Sequence, residues 1–298
     1  MRIAITGASG LIGTALSRSL TAEGHDVLHL VRRPARTAAE IEWSPEEGRV
    51  DTERLAGVEA VVHLAGAPIG PARWTARHRH RVRESRLAGT RTIATVLAAM
   101  DTPPRRLLCG SAIGFYGDTG TRSVGEDGPR GTGFLADLVA EWEAQTDPAE
   151  RAGIPVAHLR TGVVLDRAGG ILGATLPLFR LGLGGRLGDG RQYLSWISLA
   201  DEVGAIRFLL ERPDITGPVN LTAPGPVPNA VYTSTLARAL HRPALVRVPG
   251  ALMRAALDGF AEEAVLVSQR VVPERLTASG YSFHHPDIAG ALSDIVGR

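Results

Sequence analysis

Apolar positions in the first half of the chain follow two periods in turn. Short β-branched runs at Arg2 to Thr6, Asp26 to Val31, Glu59 to Leu64, Arg106 to Gly110 and Val156 to Thr161 read as buried strands. Between the first two, Leu11, Ile12, Ala15, Leu16, Ser19 and Leu20 recur at helical spacing, and Gly24 stands where that helix ends. A strand, a glycine turn, a helix and a second strand within roughly 30 residues form a βαβ unit. Its repetition predicts an α/β chain with a Rossmann-type doubly wound parallel sheet.

After residue 165 the texture changes. Gly169, Gly170, Gly182, Gly184, Gly185, Gly188 and Gly190 predict a long, loop-rich segment over the carboxyl edge of the sheet. From Pro249 onward the pattern is one of short helices broken at Pro273 and Pro286. The expected division is a dinucleotide-binding domain over 1–165 and a smaller, mainly helical substrate lobe over 166–298, with parts of 191–230 returning to the sheet.

Composition narrows the class. The 298 residues are 44% hydrophobic and 21% charged, a globular profile without disorder or repeats. No apolar run approaches the roughly 18 residues of a span, and Met1-Arg2-Ile3 leads straight into a strand, so a cytoplasmic protein without a membrane partner is expected. The net charge of +2 gives no bulk field for nucleic acid. Cys109 is the single cysteine and, beside Leu107 and Leu108, reads as a buried structural thiol. All 33 basic residues are arginine. The absence of lysine excludes Schiff bases, lysine general bases and a phosphate-loop lysine.

The turn Thr6-Gly7-Ala8-Ser9-Gly10-Leu11-Ile12-Gly13 carries the first chemistry. Gly7 allows the tight turn, Gly10 allows the backbone to approach a pyrophosphate, and Gly13 allows the helix to pack close with its amino end toward the anion. Ser9, Leu11 and Ile12 belong to the same cradle. About 20 residues on, an NAD site places a carboxylate for the ribose hydroxyl, but here the strand ends in Arg32 and Arg33. Guanidinium forks suit a 2′-phosphate, so the expected cofactor is NADP(H). Leu64, Ala65 and Gly66 close the third strand where the backbone passes the adenosine side, and Arg160 is a further candidate cofactor contact.

Further segments complete a pattern. They are Arg73-Trp74-Thr75, Glu84 to Thr90, Ser111 to Gly117, Phe134-Leu135-Ala136 with Trp142-Glu143, Arg160 to Leu165, Trp196-Ile197-Ser198, Asn220 to Pro224 and Ser268 to Leu276. Together with the glycine turn they resemble the extended short-chain dehydrogenase/reductase superfamily. Within it they resemble the group called the epimerase family with a C-terminal domain of unknown function, which here covers 249–298. The resemblance implies a nicotinamide cofactor and chemistry beside its ring.

One departure matters. The superfamily's redox members use a serine and a Tyr-x-x-x-Lys pair, tyrosine as acid/base and lysine to lower its pKa. Ser111 fits the serine, but the Tyr and Lys positions hold Phe134 and Leu138, and the asparagine common before Gly-Thr is Arg86. Tyr116, five residues beyond Ser111, is the candidate stand-in; Asp137 and Glu141 are alternative acids on the helix that begins near Phe134.

The basic run Arg77 to Arg83 reads as a solvated face or an anion attractor, and neither His78-x-His80 nor His284-His285 has the partners of a metal site. Apolar residues between Gly169 and Trp196 suit a cleft, with Trp74, Arg186 and Gln192 as candidate substrate contacts. The chain thus reads as an NADP(H)-dependent oxidoreductase or epimerase of a small polar metabolite, a monomer or homodimer. The alternative is a non-catalytic NADP(H) sensor acting through a partner.

Overall fold

In the computed structural model, which describes residues 1–70 and 74–297, the chain begins with strand β1 (Arg2–Thr6), helix α1 (Leu11–Ala22) and strand β2 (Asp26–Val31). There follow β3 (Glu40–Ser44), β4 (Arg49–Val50), α2 (Thr52–Leu55), β5 (Ala60–His63), α3 (Ala76–Ala98), β6 (Arg106–Ala112), α4 (Phe134–Glu143), α5 (Asp147–Arg151) and β7 (Val156–Thr161). The second half contains β8 (Val163–Leu165), α6 (Gly170–Arg180), β9 (Gly185–Leu187), β10 (Tyr193–Leu194), β11 (Trp196–Ser198), α7 (Leu199–Leu210), β12 (Gly217–Leu221), β13 (Val227–Pro228) and α8 (Asn229–Ala239). It closes with β14 (Val246–Val248), α9 (Gly250–Leu257), α10 (Glu274–Ala278) and α11 (Ile288–Gly297). Arg73, part of the Arg-Trp-Thr segment, lies outside the described residues.

The main sheet has eight strands in the order β12-β7-β6-β5-β1-β2-β3-β4, parallel except for β4. The order reverses between β1 and β5, the switch point at which open α/β sheets bind ligands. Because side chains alternate along a strand, Ile3 and Ile5 pack with Leu16, Leu20, Ile206 and Leu209 of α1 and α7, while Ala4 packs toward Ile93 and Leu97 of α3. The central strands are therefore buried on both faces.

Two elements depart from expectation. β3 pairs in register with β2 as part of the sheet edge, although its sequence EIEWS alternates polar and apolar residues. The glycine-rich segment is not loop throughout: α6 buries Leu172, Leu176 and Phe179 on one face, with Gly169 and Gly170 confined to its start. The returning strand from 191–230 is β12, paired with β7 from Gly217↔Ala157 to Leu221↔Thr161.

Candidate active site

The glycine turn joins β1 to α1 at the switch point. Gly7 has φ +69°, and a Cβ there would lie 2.8 Å from the Leu64 carbonyl carbon. A Cβ at Gly13 would lie 2.3 Å from the Gly7 carbonyl oxygen. Both positions are fixed by contact within the protein. Gly10 differs, since its Cβ direction meets only the Gly7 oxygen at 3.3 Å and otherwise opens outward, as does the exposed Ser9. Leu11 and Ile12 open α1, so their N–H groups lack carbonyl partners within the helix and face this turn. The Thr6 hydroxyl accepts hydrogen bonds from the Leu64 and Ala65 N–H groups at 3.0 and 3.1 Å and bonds His63 Nδ1 at 2.8 Å, which locks the two strand exits together. Arg86 packs beneath Gly66, with its guanidinium carbon 3.3 Å from where a Cβ would be. The cradle fits a dinucleotide pyrophosphate: amide donors converge on a space that side chains do not fill.

At the end of β2 the two arginines separate. Arg33 is held by Glu40, with Nη1 donating to Oε2 at 2.9 Å, and this fork pulls the Glu40 carboxyl down to about 2. Arg32 is exposed and, among the described residues, forms no ion pair. Arg32 is thus the available cation and Arg33 its anchored neighbour.

On the other side of the switch point, a cavity of about 220 Å³ lies against the carboxyl ends of β6 and β7, lined by Ala112, Gly114, Thr161 and Gly162 with Leu138 and Trp142 of α4. Two charged side chains reach its wall, Arg86 and Glu263. Arg86 donates to the Ala67 carbonyl at 2.9 Å and stacks over Trp142 at 5.0 Å, and burial lowers its pKa to about 10, so it remains a cation at neutral pH. Glu263 comes from a π-helical turn over Ala261–Val265 and accepts a hydrogen bond from the Leu135 N–H at 2.7 Å. It therefore caps α4 beside Phe134, whose ring meets Trp74 edge-on at 5.4 Å. A second cavity of about 90 Å³ continues toward α6 and α8, sharing Ile113, Val163, Ala264 and Gln269 with the first. Its lining includes Phe179, Gln192, Tyr193, Asn229 and Tyr232 and carries no charged side chain.

The candidate catalytic pair lies elsewhere. The Ser111 hydroxyl donates to Glu143 Oε1 at 2.6 Å, and it is its neighbour Ala112 that lines the cavity, because successive residues of β6 face opposite ways. Tyr116 donates to Asn220 Oδ1 at 2.8 Å and accepts from Arg160 Nη1 at 2.9 Å. Burial pushes its phenol up, so it is a poorer acid than a free tyrosine. Arg160 is not brought to the glycine turn: it forks onto Glu143 with Nε–Oε1 and Nη2–Oε2 both 2.8 Å and stacks over Phe115 at 3.6 Å. Burial alone raises the Glu143 carboxyl, but the Arg160 fork outweighs it and holds the group below its usual range. Ser111, Tyr116 and Arg160 together form a buried brace behind the cavity wall.

Of the substrate candidates, Gln192 lines the smaller cavity and donates to the Leu187 carbonyl at 3.1 Å. Arg186 lies between the lining residues Gly185 and Leu187, its Nε buried without a hydrogen-bond partner. Trp74 is buried, donates to the Ile69 carbonyl at 3.1 Å and sits between Phe134 and Phe260. Asp137 pairs with Arg130 and Glu141 with Arg83, both exposed. His284 and His285 do acquire a carboxylate neighbour, Asp294, with ligand atoms within 4.8 Å; both His285 nitrogens already have partners, Ser198 and Asp294. No local sequence pattern marks Glu263 or Gln269, whose partners Leu135 and Ile113 are 128 and 156 residues away. Gln269 donates to the Ile113 and Gly117 carbonyls at 3.1 and 3.2 Å, fastening the C-terminal segment to the end of β6.

Comparison with known proteins adds to this picture. Residues 3–164 match the NAD dependent epimerase/dehydratase family, and residues 248–295 match a Domain of unknown function (DUF1731). The chain is 46% identical over 290 residues to the epimerase family protein MT2273 of Mycobacterium tuberculosis, covering 97% of this chain and 96% of that one. It is 35% identical over 300 residues to human epimerase family protein SDR39U1, covering 99% and 100%. The solved structure of human SDR39U1 (isoform 2) with NADPH superposes with a TM-score of 0.90 at 32% identity, over the full length of both chains.

Proposed function

The chain belongs to the NAD dependent epimerase/dehydratase family, in the group that also carries the C-terminal domain of unknown function, and from that premise we propose that it binds NADP(H) and acts as an oxidoreductase or epimerase on a small, uncharged molecule. The observation that carries this reading is the glycine cradle at the switch point, open at Gly10 and flanked by Arg32 on one side and the cavity at the β6 and β7 ends on the other.

Gly7, Ser9, Gly10, Leu11, Ile12 and Gly13 hold the pyrophosphate by backbone amides, and Arg32 reads the 2′-phosphate. NADP(H) bound there supplies hydride exchange at its nicotinamide. The residues of the chain do the rest. Ala112 and Gly114 leave room for a flat ring, Arg86 fixes a positive charge at the cavity wall, and Glu263 is the carboxyl group able to give or take a proton where the superfamily has its tyrosine. The smaller cavity receives the substrate. A charged substrate buried among Phe179, Tyr193 and Tyr232 would lack a counter-ion, so the polar metabolite expected from sequence narrows to an uncharged one.

Fluorescence titration with NADPH and NADH tests the cofactor reading. Preference for NADPH by at least about tenfold, roughly 1.4 kcal/mol, supports it, and Arg32→Ala removes that preference while leaving NADH affinity unchanged. Failure of both nucleotides to bind overturns it. Phe134 and Leu138 at the usual acid/base positions favour one second reading, a cofactor-sensing protein without turnover. A partner whose capture tracks NADPH occupancy, with no NADPH consumption across small aldehydes and ketones, decides for that reading.

A further inference from the structure

Among the described residues, the exposed large apolar side chains other than Val231 of α8 lie on three neighbouring segments. Leu178, Leu181 and Leu183 lie at the end of α6 and just beyond it, Leu245 and Val246 at the start of β14, and Leu252 on α9; Leu245 and Leu181 are 86% and 73% exposed. These segments are physically joined. Val246 pairs with Gly185 in the β14–β9 ladder, Arg242 Nε donates to the Arg180 carbonyl at 3.0 Å, and the Leu183 N–H donates to the Leu178 carbonyl at 2.9 Å. Exposed leucines scattered singly need no explanation, but a cluster of this kind does.

Within α6, β14 and α9 the charged side chains are all arginine, and the carboxylates at the border are Asp258, which closes α9, and Glu262, which pairs with Arg254. Between Asp166 and Asp189, and again between Asp214 and Asp258, the sequence contains no carboxylate side chain. Arg180, Arg238, Arg242 and Arg247 are exposed there, and among the described residues none of them forms an ion pair. Several exposed arginines elsewhere are neutralised, as Arg49 is by Glu47 and Arg151 by Asp147. A second copy of this chain docked face to face would set these cations against each other. An anionic bilayer instead supplies apolar depth for the leucine tips and phosphate or carboxylate groups for the guanidinium forks.

We propose that the face built by the end of α6, β14 and α9 docks on an anionic phospholipid surface. No helix of the described residues is long and apolar enough to cross a membrane, so the contact is peripheral and reversible. The proposal does not depend on the cofactor reading.

Vesicle flotation tests it. The full chain is mixed with vesicles of phosphatidylcholine alone, or with about a third phosphatidylserine, and the floated fraction is measured at low and high salt. The expected result is at least about tenfold more protein on the anionic vesicles at low salt, falling steeply once salt screens the arginines. The pair Leu181→Glu and Leu245→Glu, and separately the pair Arg180→Glu and Arg247→Glu, each abolish flotation. All four sites are exposed, and unchanged thermal melting of the variants verifies that they fold. Absence of flotation at low salt, or flotation unchanged in both double variants, overturns the proposal. So does a wild-type dimer in sedimentation that Leu181→Glu dissociates without any vesicle binding, which assigns the face to a second copy. NADPH titration of the same samples reads the cofactor site separately.

Discussion

Glu263 accepts the Leu135 N–H at 2.7 Å, so a carboxylate from the C-terminal segment caps the helix that bears Phe134 in place of a tyrosine. The same carboxylate reaches the wall of the larger cavity. Glu263→Gln keeps an oxygen for Leu135 but removes the proton-carrying group. The expected outcome is a melting temperature within a degree or two of wild type, with NADPH-consuming turnover reduced by about 100-fold. Glu263→Ala loses the cap as well and costs about 1 kcal/mol, a few degrees in melting temperature. Wild-type turnover in the Gln variant removes Glu263 from proton transfer.

Gly10 and Gly13 respond differently to the same added methyl. At Gly13 the methyl would stand 2.3 Å from the Gly7 carbonyl oxygen, a backbone contact that cannot yield without moving α1 off β1. Gly13→Ala is therefore expected to lose about 2 kcal/mol or more of stability together with nucleotide binding. At Gly10 the nearest atom is 3.3 Å away, and the methyl instead fills the space meant for the pyrophosphate. Gly10→Ala keeps its melting temperature and weakens NADPH by about tenfold or more. Parallel calorimetry and titration of the two variants checks this, and a Gly10→Ala that binds as tightly as wild type refutes the assignment of the cradle.

The sequence makes some of this legible and hides the rest for physical reasons. β1, β2 and β7 have the bounds expected from their mainly apolar runs, because strands covered on both faces are rich in apolar residues, although His29 interrupts β2 and His158 and Arg160 interrupt β7. β3 escapes notice because the half-buried Glu40 and Glu42 interrupt its apolar positions. α6 is masked by Gly169, Gly170 and Gly173, although Leu172, Leu176 and Phe179 carry its period. The geometry of the glycine turn follows from local spacing. Glu263 does not, since its partner Leu135 is 128 residues away and only the tertiary fold joins them. Ser111 and Ala112 are adjacent in sequence, and strand phase alone decides which of them faces the cavity.

Two fully buried titratable groups set opposite pH dependences. Burial pushes Glu202 up to about 8, with Oε1 accepting from Thr161 and Oε2 unpartnered, so folding holds it protonated where the unfolded chain ionises. Its stabilisation is complete below about 4.5 and is lost as pH rises toward 8. Burial pulls His63 down to about 4, so the unfolded chain gains a proton first and stability falls as pH drops from about 6.5 toward 4. The two effects oppose each other between these limits, and above about 6.5 Glu202 acts alone. Glu202→Gln is expected to raise the melting temperature at pH near 8 and to have little effect near pH 5. Melting curves across that range check it, and an equal shift at both ends contradicts the assignment.

The brace behind the cavity decides how Ser111 is to be read. Its hydroxyl is one of three groups satisfying Glu143, the other two being the Arg160 donors at 2.8 Å. Removing the hydroxyl leaves the carboxylate forked by Arg160, so Ser111→Ala costs about 1 to 2 kcal/mol. Removing the carboxylate is worse: Glu143→Ala strands a buried guanidinium and costs about 3 to 5 kcal/mol. NADPH affinity survives Ser111→Ala, because the glycine turn and Arg32 are untouched. Turnover survives as well, since Ala112 and not Ser111 borders the cavity. A Ser111→Ala protein that melts like wild type yet loses all turnover would return the serine to the reacting oxygen, the role its sequence context first suggested, and would require its hydroxyl to swing from Glu143 when substrate arrives.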